Sequence, residues 1–144
     1  MSEGDLFFLD SNVLFSAALG GETFTRYLRL ADKGAIRLVS TRACVAEAVT
    51  NLERKRPGSI GGLAEFLARV QLVDPDTSAR VDEAAELVGG GDAHVLTAAW
   101  VLGATALVTG DVKDLGALMD RLDLSLRIRT PRSFLVEISA DPLA

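Results

Sequence analysis

The chain has 144 residues, 49% hydrophobic and 24% charged, a globular balance that excludes a disordered chain and suits one domain over residues 1–144. Its single cysteine, Cys44, excludes an intrachain disulfide and a thiolate zinc cluster, and reads as a small hydrophobe. The formal charge of −5 excludes a broadly basic nucleic-acid binder, whose phosphate contacts would show as a positive footprint.

The N-terminus is acidic ahead of its first apolar run, the reverse of a secretory signal. Leu6-Phe7-Phe8-Leu9 reads as a strand buried on both faces, because its apolar run has no polar alternation. It ends at Asp10-Ser11-Asn12, capping residues that open a helix over 13–19. After Gly20-Gly21, the residues Phe24, Tyr27, Leu28 and Ala31 recur at helical spacing up to Gly34. Residues 36–39 read as a second strand, and Ser40-Thr41 caps a helix that runs to the stop at Pro57-Gly58.

Gly61-Gly62 opens a short helix, and a strand follows over 70–73. A turn at Asp74-Pro75-Asp76 leads into a helix ending near Val88. The uncharged stretch 93–110 reaches the length of a membrane span, but it lacks basic anchors and is interrupted by Gly103. It reads instead as a buried helix over 93–102 followed by a strand over 105–109. A helix over 113–122, a last strand over 126–128 and a helix started by Thr130-Pro131 complete the chain. Strands alternating with helices imply a parallel sheet of four to five strands in a three-layer α/β/α sandwich.

Four acids fall where such a sheet binds ligands, outside the carboxyl ends of its strands. Asp10 follows the first strand, Asp111 follows the fourth, and Asp92 opens the buried helix before it. Glu47 sits mid-helix among Ala43, Ala46, Ala48 and Val49, where an acid on an apolar surface has to be paired or neutralised. Singly, Asp10 and Asp92 are good N-caps, Asp111 a good turn residue, and Glu47 a solvated side chain on an exposed face. Taken together on one rim they repel one another, and a hard divalent cation such as Mg²⁺ satisfies them.

The ordered set of Leu9-Asp10-Ser11-Asn12-Val13-Leu14, Glu47, Gly91-Asp92-Ala93-His94-Val95-Leu96 and Leu107-Val108-Thr109-Gly110-Asp111 resembles a PIN domain. The closing Thr130-Pro131-Arg132-Ser133-Phe134-Leu135 resembles the last helix start of that family. The resemblance implies a ribonuclease of the kind found as the toxin of prokaryotic toxin–antitoxin pairs. Such a protein uses Mg²⁺ or Mn²⁺ to cleave RNA, forms a homodimer in the cytoplasm, meets an antitoxin protein and has no membrane partner. The family's acids fall on Asp10, Glu47, Asp92 and Asp111, with Asp114 an alternative for the last. Asn12 and Thr109 match supporting polar positions that would orient the acids.

The chemistry implied is phosphodiester hydrolysis, in which a divalent metal activates water and neutralises charge on the phosphoryl oxygens. Arg26, Arg29 and Lys33 at helical spacing, and the run Arg54-Lys55-Arg56, are the candidates for an RNA backbone track. His94 reads as a packing or hydrogen-bonding residue on a buried helix, and Trp100 as a core or dimer contact. Two other readings remain: a PIN-like domain that binds RNA or protein without cutting, and a Mg²⁺-binding receiver-like signalling domain with Asp74 as phospho-acceptor. The four acids contribute −4 and the segment 74–86 another −4, leaving +3 elsewhere. The acidity therefore reads as a metal site plus one local surface.

Overall fold

The computed structural model describes residues 5–76, 92–111, 115–116, 119 and 126–140. The strands are β1 (Asp5–Leu9), β2 (Ile36–Ser40), β3 (Val70–Leu72), β4 (Ala106–Val108) and β5 (Arg127–Arg129), apolar throughout in β4 and nearly so in β1, while Arg37, Gln71 and the two arginines of β5 interrupt the others. All pairings are parallel, and the strand order is β3-β2-β1-β4-β5. The order reverses between β1 and β4, which places the crevice of the sheet beyond Leu9 and Val108. The α/β class and the parallel sheet are as the sequence predicts.

Helices α1 (Ser11–Leu19), α2 (Glu22–Asp32), α3 (Arg42–Lys55), α4 (Ile60–Leu67), α5 (Asp92–Val101) and α6 (Pro131–Ala140) cover it. Three of them start at a capping or φ-fixing residue. Asp10 caps α1, the Thr41 hydroxyl accepts from the Cys44 N–H to cap α3, and Pro131 occupies the first position of α6. Successive residues of β1 serve opposite faces. Phe7 meets Phe134 of α6 edge-on at 4.5 Å and Tyr27 of α2 at 6.4 Å. Phe8 lines a cavity on the other side with Cys44 of α3 and Val95 and Ala98 of α5.

On the first side, Phe24 of α2 meets Phe66 of α4 edge-on at 6.0 Å. Helices α1 and α4 approach so closely that a Cβ on Gly62 would lie 2.3 Å from the Ala18 carbonyl oxygen. The stretch 93–110 is a ten-residue helix and a strand, and among the described residues no helix is long and apolar enough to cross a membrane. The predicted helix ending near Val88 lies outside the described residues, as does most of the predicted helix over 113–122.

Candidate active site

Asp10 stands at the carboxyl end of β1, with its backbone N–H donating to Val108 of β4 at 3.0 Å. The side chain is 4% exposed, and neutral donors hold both of its oxygens. The Ser11 N–H donates to Oδ1 at 2.7 Å. The Thr109 hydroxyl donates to Oδ2 at 2.8 Å, and the Asn12 amide donates to the same oxygen at 3.3 Å. Burial pushes the Asp10 carboxyl above its ordinary value. The bonds from Thr109 and Ser11 oppose that rise, while the charges of Glu47 and Asp111 add to it.

Thr109 ties the second acid to the first. Its Oγ accepts from the Asp111 N–H at 3.0 Å, so one hydroxyl touches the Asp10 carboxylate and the backbone of Asp111. Asn12 closes the arrangement: its Oδ1 accepts from the Gly110 N–H at 2.7 Å, and its amide also reaches Thr109 Oγ at 3.3 Å. Asn12 and Thr109, expected from the sequence as supporting positions, thus both bond to Asp10. Ser40, which sequence patterning marked only as a cap, donates to the Leu9 carbonyl at 2.7 Å and fixes the end of β1 against β2. It is fully buried at the strand end, which its place before Thr41 in the sequence does not show.

Glu47 is exposed, not set in an apolar surface. The buried face of α3 is Cys44, Ala48 and Leu52, while the small residues Ala43 and Ala46 lie in solvent and leave Glu47 hydrated. The pairing expected from its burial is therefore unnecessary, although its charge still acts on Asp10. His94 also departs from expectation. The helix α5 buries Ala93, Leu96, Thr97, Ala98 and Ala99, but His94 turns outward and is exposed. It lines a cavity of about 300 Å³ together with Glu47, Cys44 and Asp74. Trp100 is half-buried against the core.

Cys44 is buried at the base of this cavity, and burial raises its thiol pKa, consistent with an inert packing role. Asp92 opens α5, but its side chain lies outside the described residues, as does Asp114. Among the described residues, no three His, Cys, Asp or Glu side chains converge to hold a metal ion. The set around Asp10 nonetheless fits a hard divalent cation, which takes one or two carboxylates and completes its shell with water. Asp10 forms no ion pair among the described residues, and the charges bearing on it are those of other carboxylates.

Asp74 follows β3, at the edge of the sheet, and is held by the guanidinium and the backbone N–H of Arg42. A receiver fold would order its strands 2-1-3-4-5, so the observed order removes that reading. The basic candidates separate by position. Arg26 lies one turn into α2, whereas Arg29 and Lys33 are about one and two turns further along toward β2. Arg54, Lys55 and Arg56 end α3, about two turns past Glu47 and away from the capped end nearest the strand tips. All six are exposed.

A family model described as PIN domain matches residues 7–113. Among solved structures, the chain is similar to VapBC-1 from nontypeable Haemophilus influenzae, with 18% identity and a TM-score of 0.63 over 88% of this chain and 98% of that one. It is also similar to VapBC2 from Rickettsia felis bound to a DNA fragment from their promoter, with 19% identity and a TM-score of 0.61 over 87% of this chain and 98% of that one. No curated protein sequence matches it.

Proposed function

The chain belongs to the PIN domain family, and from that premise we propose that it is a divalent-metal-dependent endoribonuclease, the toxin of a toxin–antitoxin pair. The observation that carries this reading is the buried Asp10 carboxylate at the β1–β4 switch, joined through one Thr109 hydroxyl to the backbone of Asp111. A structural cap would gain nothing from a second acid there. Two carboxylates whose charges oppose each other are suited to a cation.

In this proposal Asp10 and Asp111 hold the principal Mg²⁺ or Mn²⁺, with Glu47 and Asp92 completing the site. The metal would supply activation of water and neutralisation of charge on the phosphoryl oxygens. The protein's own part is positioning. Thr109 and Asn12 fix which Asp10 oxygen faces outward, and the Asn12–Gly110 bond holds the turn that carries Asp111. Glu47 stands in solvent at the rim, where an arriving RNA would meet it.

The protein acts in the cytoplasm as a homodimer, and an antitoxin protein is its partner. The similarity in fold to the two VapBC structures supports the antitoxin. An RNA-cleavage assay with Mg²⁺ or Mn²⁺ tests the activity: the wild type cuts and Asp10→Asn does not. Equal cutting by both proteins, or none by the wild type with either metal, overturns the reading.

A further inference from the structure

Two neighbouring grooves begin beside Asn12, which bonds to Asp10. The inner one, of about 400 Å³, is lined by Asn12 and Gly110 of the site and by Thr23 and Arg132. The outer one, of about 470 Å³, is lined by the same Thr23 and Arg132 and adds Arg26. Shared walls make them one channel between α2 and α6, which starts at the bonds that hold Asp10 and ends at two guanidinium groups.

We propose that Arg132 and Arg26 form a phosphate track, binding successive backbone phosphates of the RNA strand whose scissile bond lies at the carboxylates. The proposal rests on the nuclease reading and adds to it the path of the substrate. Arg132 was not among the basic residues that charge patterning selected, because it is a single cation following Pro131 and belongs to no run.

Charge and rigidity both favour this occupant. Arg132 is exposed and forms no ion pair among the described residues. Arg26 contacts Glu22 at 2.9 Å, but both side chains are more than half exposed, and such a pair yields readily to a phosphate. The backbone beneath Arg132 is fixed by reciprocal bonds, in which Thr130 Oγ accepts from the Ser133 N–H and Ser133 Oγ accepts from the Thr130 N–H, both at 3.1 Å. The residues next to the two arginines are bonded to each other: the Tyr27 hydroxyl donates to the Pro131 carbonyl at 2.6 Å. That bond sets the spacing of the helices carrying the guanidiniums. A chain of net charge −5 thus keeps two cations beside a cluster of acids that would otherwise repel a polyanion.

The test uses the full chain carrying Asp10→Asn, so that binding is read without turnover, and a labelled 12-nucleotide oligouridylate with Mg²⁺. Fluorescence anisotropy is recorded across salt concentrations for Arg132→Ala, Arg132→Lys, Arg26→Ala and the double alanine variant. Arg132→Ala is expected to weaken binding about tenfold and to flatten the slope of log K against log salt by about 0.7, the value for one phosphate of a single strand. The double variant flattens it by about twice that. Arg132→Lys keeps the slope but binds more weakly, because it retains the charge and loses the planar fork. Arg69→Ala, at the opposite edge of the sheet and paired with Asp32, leaves affinity and slope unchanged.

In the otherwise wild-type chain, Arg132→Ala shows its loss in KM rather than kcat. If wild type cleaves RNA while Arg132→Ala, folded by circular dichroism, keeps the same affinity and slope, the track is overturned and the nuclease reading stands. The channel would then hold something else, such as a protein segment. A wild type that neither binds nor cuts RNA overturns both.

Discussion

The hydroxyl of Thr109 donates to Oδ2 of Asp10 at 2.8 Å, across 99 residues of sequence and the seam between β1 and β4. The Thr109 hydroxyl oxygen also accepts from the Asp111 N–H, so removing this hydroxyl disturbs both acids at once. Thr109→Val keeps the shape of the side chain and leaves the Asp111 N–H without that partner. It is expected to reduce RNA cleavage and metal affinity by about 10–100-fold and to lower stability by about 1–3 kcal/mol. Thr109→Ser restores both. A valine variant with wild-type turnover would show that the bond is only structural.

The raised pKa of Asp10 fixes a sign for stability against pH in chelator-treated protein. Its folded-state value lies above the ordinary 3.8, chiefly through burial. The folded state therefore prefers the protonated acid. The stability this confers is fully present below the unfolded pKa and is lost as the pH rises through the folded one. Asp10→Asn removes this titration. Its amide faces the Asn12 amide, which adds a constant offset but no slope. The melting temperature of wild type minus that of Asp10→Asn should therefore fall as the pH rises above the ordinary carboxylate range. Parallel melting curves would contradict the burial of this carboxylate.

A divalent cation reverses that destabilisation, because it binds the folded site and not the unfolded chain. At about 100 times its Kd it stabilises by about 2.7 kcal/mol, or about 5–10 °C for a domain of this size. Calorimetry with Mn²⁺ should show this rise for wild type, its loss on adding chelator, and none for Asp10→Asn. An equal rise in both proteins would place the ion elsewhere.

β1 and β4 were legible as apolar runs and the other strands as apolar residues between turn and helix signals, and the observed bounds differ from the predicted ones by a residue or two. Asp10 and Asp111 were legible because a strand end followed by an acid is a local pattern. The states of Glu47 and His94 were not, because each depends on which face of its helix meets the sheet. Alanines lie on both the buried and the exposed face of α3, and α5 is apolar nearly all round apart from His94 and Thr97, so composition did not distinguish the faces. Arg132 gained its significance only when the Tyr27–Pro131 bond brought α2 beside α6.

Gly62 carries the remaining prediction, since its role lies in packing that the sequence does not reveal. Patterning marked Gly61-Gly62 as a helix opener, yet both residues lie inside α4, where glycine is a weak helix former. A Cβ at Gly62 would sit 2.3 Å from the backbone oxygen of Ala18, which cannot swing aside as a side chain would. Alanine there has to push α4 from α1, the helix whose cap is Asp10. Gly62→Ala is expected to cost about 1–3 kcal/mol. Gly61→Ala meets nothing within 4 Å and should stabilise by about 0.4–1 kcal/mol through a less disordered unfolded chain. Denaturant melts of the two variants check this, and a Gly62→Ala protein as stable as Gly61→Ala would mean that α1 and α4 do not pack this closely.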